Sequence, residues 1–316
     1  MSKPRYCPRC SSEVHPEANR CYLCNSPLEK QRSPVGAFFI ALLKCLGFYG
    51  FFSLVRELVA TGAIIISTII IPDGLLLGEF NTQALERILN MHQGEIGIIS
   101  TVLIVAGYAV FMKLIKKSFK KEIRLSPAGA GGVFSAATLG VAALFAVSIG
   151  LSVLYSLFPS LSSYSNSGEL SDMMESGNMV LTVLNVTVFT GIVEEILFRG
   201  LIYNTLKKAI PTPLAVFMSA IIFGAAHMNI EQFFYTALLG ALLCFIYDRY
   251  DSIIPPIILH ASFNGANYIL GALDFKYDMP YFALFFISAA LIFIVAGFVF
   301  FTEKAPAASI IKTKGN

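Results

Sequence analysis

The chain has 316 residues, 56% of them hydrophobic and only 14% charged, with a mean hydropathy of +0.70. Apolar stretches this many and this long exclude an ordinary soluble globule and indicate a polytopic membrane protein. The net charge of +3 is small, so its distribution matters more than its total.

The first 34 residues are polar and hold four of the six cysteines. They contain no apolar h-region, so a cleaved signal peptide is not expected. Cys7-Pro8-Arg9-Cys10 and Cys21-Tyr22-Leu23-Cys24 are two C-x2-C knuckles with ten residues between them. Such knuckles can present four thiolates tetrahedrally to one zinc ion. So short a unit has no core, and the metal would supply most of its folding energy. A pair of disulfides is the alternative, but the charge pattern below places this end in the reducing cytosol. A closed four-cysteine site leaves no open position for catalysis. The expectation is a structural, cytoplasmic zinc ribbon over 1–34, either a docking point for a cytosolic protein or a plain folded cap. His15 reads as a loop residue, and Cys45 and Cys244 as ordinary buried thiols. Arg5, Arg9 and Arg20 are too few for a nucleic-acid surface.

Eight apolar segments follow, roughly 35–71, 95–112, 133–157, 179–198, 213–228, 232–247, 253–272 and 281–301. Arg56 and Glu57 divide the first, which reads as a surface or cytosolic helical half followed by one crossing. The run from Lys113 to Arg124 has six basic residues against Glu122, and Lys207 and Lys208 mark a second basic loop. Both belong on the cytoplasmic side by the positive-inside rule. One crossing within 35–71 satisfies both loops. The expected fold is therefore all-α, with about eight transmembrane helices over 35–303, a cytoplasmic tail at 304–316 and both termini inside. Residues 161–178, rich in Ser and Asn, read as an external loop.

The fourth segment carries Glu194, Glu195 and Arg199. Each ionised residue near the middle of a membrane helix opposes insertion by about 2.5–3.5 kcal/mol, so the three need partners. Candidates lie in two other segments: Phe223-Gly224-Ala225-Ala226-His227 and His260-Ala261-Ser262-Phe263-Asn264. At a rise of 1.5 Å per residue, Glu194, His227 and His260 lie about 20, 22 and 18 Å from the basic side, one common level. Glu195 and Arg199 are four apart in the favourable order for an ion pair. His260 and Asn264 share a face, as do Phe223 and His227. Glu194 could take a proton from water that His227 helps to hold, and His260 and Asn264 could stabilise an oxyanion. Arg199 would hold Glu195 ionised. Two histidines and a glutamate could instead hold a catalytic zinc, although no H-E-x-x-H is present.

In order and spacing, Glu194-Glu195-x-x-x-Arg199, Phe223-x-x-x-His227 and His260-x-x-x-Asn264 resemble the three motifs of the CPBP intramembrane proteases. This is the family of the type II CAAX prenyl endopeptidase and the bacterial Abi (bacteriocin-processing and self-immunity) proteins. The likeness covers about 179–272, the family core. It implies an eight-helix membrane fold with a hydrolytic site inside the bilayer. It also implies Glu194 as general base with His227, and His260 and Asn264 around the oxyanion. The family is commonly called metalloprotease, and a glutamate-type mechanism fits the same motifs. The expected activity is endopeptidase cleavage of a membrane-associated or lipidated peptide or protein. The expected location is the inner membrane of a bacterium, since some bacterial membrane proteins carry such ribbons. Two other readings remain: a non-catalytic immunity or scaffold protein, and a proton-coupled transporter. The transporter would show inverted repeats and broken helices, and neither is evident.

Overall fold

The computed structural model describes residues 5–7, 10–14, 20–24, 33–70, 82–158 and 178–272, with separate helical positions between 287 and 295. Strands β1 (Arg5–Tyr6) and β2 (Glu13–Val14) pair antiparallel, with Arg5 opposite Val14 and Tyr6 opposite Glu13. Nine helices follow among the described residues: α1 (Pro34–Ile70), α2 (Thr82–Met91), α3 (Gln93–Leu114), α4 (Phe119–Glu122), α5 (Ala130–Leu157), α6 (Met179–Lys207), α7 (Thr212–Ala225), α8 (Ile230–Tyr250) and α9 (Ile254–Ala272).

Seven of the eight apolar segments coincide with helices. The eighth, 281–301, lies mostly outside the described residues, as do the tail 304–316 and the loop 161–177. Helices α1, α3, α5 and α6 are long and apolar enough to cross a membrane, and α7 is a shorter apolar helix. The count of eight crossings is not reached among the described residues. The first segment is a single helix, α1, unbroken for 37 residues through Arg56 and Glu57. Arg56 lays its guanidinium 5.4 Å from the Phe52 ring centre, so its charge stays on the helix surface and the backbone hydrogen bonds continue. A helix this long spans about 55 Å, well beyond a hydrocarbon core of about 30 Å.

The outer faces match a lipid environment. Leu43, Leu46, Leu54 and Leu58 on α1, and Val102 and Val110 on α3, are exposed. The centre is built from α6, which buries every residue from Glu195 to Tyr203. Helices α5 and α9 pack backbone to backbone: a Cβ on Gly140 would lie 2.3 Å from the Leu259 carbonyl oxygen. A glycine is needed there to bring α9, with His260 and Asn264, against the bundle.

The basic loops meet at one end. Arg124 donates to Asp248 (3.0 Å) and Asn204 (2.9 Å), while Lys207 and the Tyr203 hydroxyl also reach Asp248 at 2.5 and 2.6 Å. Asn204 donates to the Tyr247 hydroxyl at 2.7 Å. This lattice fastens the α4–α5 connection to α6 and α8, and fixes how far each helix rises from that end.

Candidate active site

Helix α6 is not uniform. Its turns at Asn185–Phe189 and Ile196–Tyr203 are π-helical, and ordinary α-helix covers Thr190–Glu195 between them. Such wide turns accumulate at functional sites, because i→i+5 bonding shifts side-chain directions that a regular helix would fix. The two carboxylates sit at the end of the short α-helical stretch.

Glu195 is fully buried. Its Oε1 accepts from Arg199 Nη1 at 2.8 Å and from His260 Nδ1 at 2.8 Å. Arg199 is equally buried, donates through Nη2 to the Gly240 carbonyl at 3.3 Å, and stands 4.2 Å above the Phe223 ring centre. The Phe223 ring packs edge-on against His227 (5.0 Å) and His260 (5.9 Å). One arginine therefore ties three helices around a carboxylate that holds the His260 ring by its Nδ1.

Glu194 points to the other side of that ring. Its Oε2 lies 3.9 Å from His260 Nε2, and this buried oxygen has no hydrogen-bond partner among the described residues. Glu195 Oε2 is likewise buried without a partner among the described residues, so what sets Glu194 apart is its freedom from Arg199 and its partial exposure.

His227 follows the end of α7, where the chain turns at Met228 with φ 53°. Its Nδ1 donates to the Phe223 carbonyl at 2.8 Å, which leaves Nε2 to accept. Asn264 uses one amide hydrogen on the Val186 carbonyl (3.0 Å), in the first π-helical stretch. Its second hydrogen is not taken by that bond.

Of the six side chains picked from the sequence, the structure joins Glu194, Glu195, Arg199 and His260 directly. His227 is joined to them through Phe223, and Asn264 stands one turn along α9. Sequence reasoning missed the Gly240 and Val186 carbonyls, the arginine above Phe223 and both π-helical stretches. Backbone acceptors leave no mark in a sequence. The Phe223–His227 spacing was the one available hint of the stack.

The four ribbon cysteines form no disulfide, and their sulfur atoms lie within 4.8 Å of one another. Cys7–Cys24 and Cys10–Cys21 are each 3.5 Å apart, close to the edge of about 3.8 Å for sulfurs bound tetrahedrally at 2.3 Å from one zinc. The set fits a metal ion such as zinc. The Ser12 hydroxyl, 3.3 Å from Cys21, with the Cys24 and Leu23 amides, draws the Cys21 thiol below its ordinary value. Among the described residues this is the one set of three or more His, Cys, Asp or Glu side chains that converges in this way; Glu194, His227 and His260 do not. His15 lies outside the described residues, while Cys45 and Cys244 are buried in the helical core.

Comparison with known proteins fits this geometry. Residues 176–266 match the family model described as type II CAAX prenyl endopeptidase Rce1-like. The likeness read from the three motifs is borne out. That Rce1-like segment contains Glu194, Glu195, Arg199, His227, His260 and Asn264. The chain is also 23% identical over 172 residues to the Bacillus subtilis (strain 168) protein named "Putative membrane peptidase YdiL", covering 54% of this chain and 69% of that one. No solved structure matches significantly.

Proposed function

We propose that the chain is a membrane-embedded endopeptidase of glutamate type, cutting a membrane-associated or lipidated peptide or protein. The observation that carries this reading is the pair of adjacent carboxylates on either side of His260, Glu195 fully buried and paired with Arg199, Glu194 partly exposed and free of any ion pair with arginine, each with one buried oxygen that has no hydrogen-bond partner among the described residues. In this mechanism Glu194 takes a proton from water while His227 Nε2 accepts its other hydrogen. The water oxygen attacks the peptide carbonyl carbon. The oxyanion accepts from the protonated Nε2 of His260 and from the second amide hydrogen of Asn264. Collapse breaks the C–N bond, and the proton on Glu194 passes to the leaving amine. Glu195 and Arg199 position His260 without touching the substrate.

Donor geometry favours this version over a catalytic metal, since Glu194, His227 and His260 do not converge as the cysteines do. The ribbon would hold one structural zinc on the side of the basic loops, which the same reading places in the cytoplasm with both termini, and it offers a docking surface for a cytosolic protein.

The test is cleavage of a quenched peptide library, including lipidated peptides, by purified protein in nanodiscs. Glu194→Gln should lower turnover by about 10²–10⁴ while the protein stays folded. Activity of the wild type should survive chelation. Loss on chelation, with a Cys7→Ser/Cys10→Ser variant still active, would move the chemistry onto a metal. No cleavage by folded wild type would favour a binding or immunity protein.

A further inference from the structure

One cavity lies away from the carboxylates. This half-open space of about 550 Å³ lies between α1, α3, α4 and the end of α6, and none of the six candidate catalytic side chains lines it. A volume of this size suits one drug-sized or chain-like ligand.

Its two ends differ. One end is apolar and is formed by Phe48, Phe51, Tyr108 and Phe111, of which Tyr108 is buried and Phe111 exposed. Gly47 also lines it, and a Cβ there would meet no atom within 4 Å. The other end holds Lys44, Lys117 and Lys208 around Glu122. Lys208 pairs with Glu122, and Lys117 stands 3.8 Å from the same oxygen. Three cations against one carboxylate leave a net charge of +2 at the mouth. The neighbouring run from Lys113 to Arg124 adds no further acid. Phe39, Leu43 and Leu46, about a third of a turn round α1 from the lining residues, are exposed, so the cavity lies beside the lipid-facing belt.

We propose that this cavity binds one anionic phospholipid of the surrounding bilayer, its phosphate at Lys44, Lys117 and Lys208 and one acyl chain along Gly47 towards Phe51. Charge complementarity selects the occupant: a zwitterionic lipid would satisfy the chain but leave the excess positive charge unmatched, and a basic pocket between membrane helices recognises anionic head groups. The site is independent of whether the chain is a protease.

The chain has no tryptophan, so Phe48→Trp supplies a single reporter inside the cavity. The full-length protein is reconstituted with small mole fractions of brominated phosphatidylglycerol or brominated phosphatidylcholine, and tryptophan quenching is read. Half-maximal quenching by the anionic lipid is expected at about tenfold lower mole fraction. That preference should vanish in Lys44→Gln/Lys117→Gln/Lys208→Gln. Gly47→Leu should weaken quenching by both lipids. If Gly47→Leu does not fold, the lysine variant, altered only at the cavity mouth, still decides the question. Equal quenching by the two lipids would overturn the proposal, as would a preference that survives loss of the lysines. Displacement of the anionic lipid by millimolar glycerol phosphate would also overturn it, since it would reveal an anion site that needs no acyl chain.

Discussion

Arg199 sets the sharpest test of how the site is held together. Both it and Glu195 are essentially fully buried, and their contact is 2.8 Å. Replacing Arg199 with Met keeps much of the apolar stem but removes three interactions: the Glu195 pair, the bond to the Gly240 carbonyl at 3.3 Å, and the position 4.2 Å above Phe223. Breaking a buried ion pair from one side typically destabilises by about 3–5 kcal/mol, because a buried charge is left behind. The remaining bond from His260 offsets part of this, so the lower half of that range is expected. The double variant Glu195→Leu/Arg199→Met removes both charges and should recover more than half of the loss, since hydrophobic replacement of a whole buried pair is often neutral. Equilibrium unfolding in mixed micelles measures Arg199→Met, Glu195→Leu and the double variant, and the cycle should give a coupling above about 1.5 kcal/mol. A single variant within about 1 kcal/mol of wild type, or a double variant no better than the sum of the singles, would refute the reasoning. The double variant should nevertheless be inactive, because His260 Nδ1 loses its acceptor.

Three further outcomes are expected. Burial pushes the Glu122 carboxyl up, but the ammonium groups of Lys208, Lys117 and Lys44 outweigh this and hold it below its ordinary value of 4.5. A depressed folded-state value stabilises above the unfolded value and is lost as pH falls through the folded one. The stability difference between wild type and Glu122→Gln should therefore be constant from pH 7 to 5 and shrink below about 4.5, as followed by unfolding at each pH. Gly140→Ala forces a methyl against the Leu259 carbonyl, Ser262 and Phe263 at 2.3–3.0 Å. It should destabilise by about 1–3 kcal/mol and lower kcat more than it raises KM, because α9 carries His260 and Asn264. Elemental analysis should find one zinc per chain, absent from Cys7→Ser/Cys10→Ser, while mixed-micelle unfolding of the helical part is unchanged.

Much of the site was legible because its chemistry is encoded at fixed helical spacing. Glu195 and Arg199, four apart, do pair, and the C-x2-C knuckles do bring their sulfurs together. The level at which Glu194 and His260 meet followed from rise per residue alone. Their facing did not. A uniform rotation of 100° per residue turns Glu194 away from Glu195, whereas both reach the same imidazole. Two carboxylates about 100° apart on the α-helical stretch Thr190–Glu195 do so because each meets a different nitrogen of the His260 ring, and where α9 sets that ring is something no local sequence rule reports. The lattice of Arg124, Asn204, Tyr247 and Asp248 was likewise invisible, since its members are separated by up to 124 residues.

The wide turn at Ile196–Tyr203 makes the length of α6 a functional quantity. It lies between the carboxylates and Asn204, which anchors the helix to the basic end. A π turn carries about one residue more than the α turn it replaces for nearly the same rotation, so removing one residue would let the stretch relax to ordinary α-helix with the acidic pair and Asn204 still facing His260 and Arg124. Adding one residue would instead swing one side by about 100° relative to the other. Either the acidic pair would then leave His260 or Asn204 would leave Arg124. This stretch should therefore accept a one-residue deletion far more readily than a one-residue insertion.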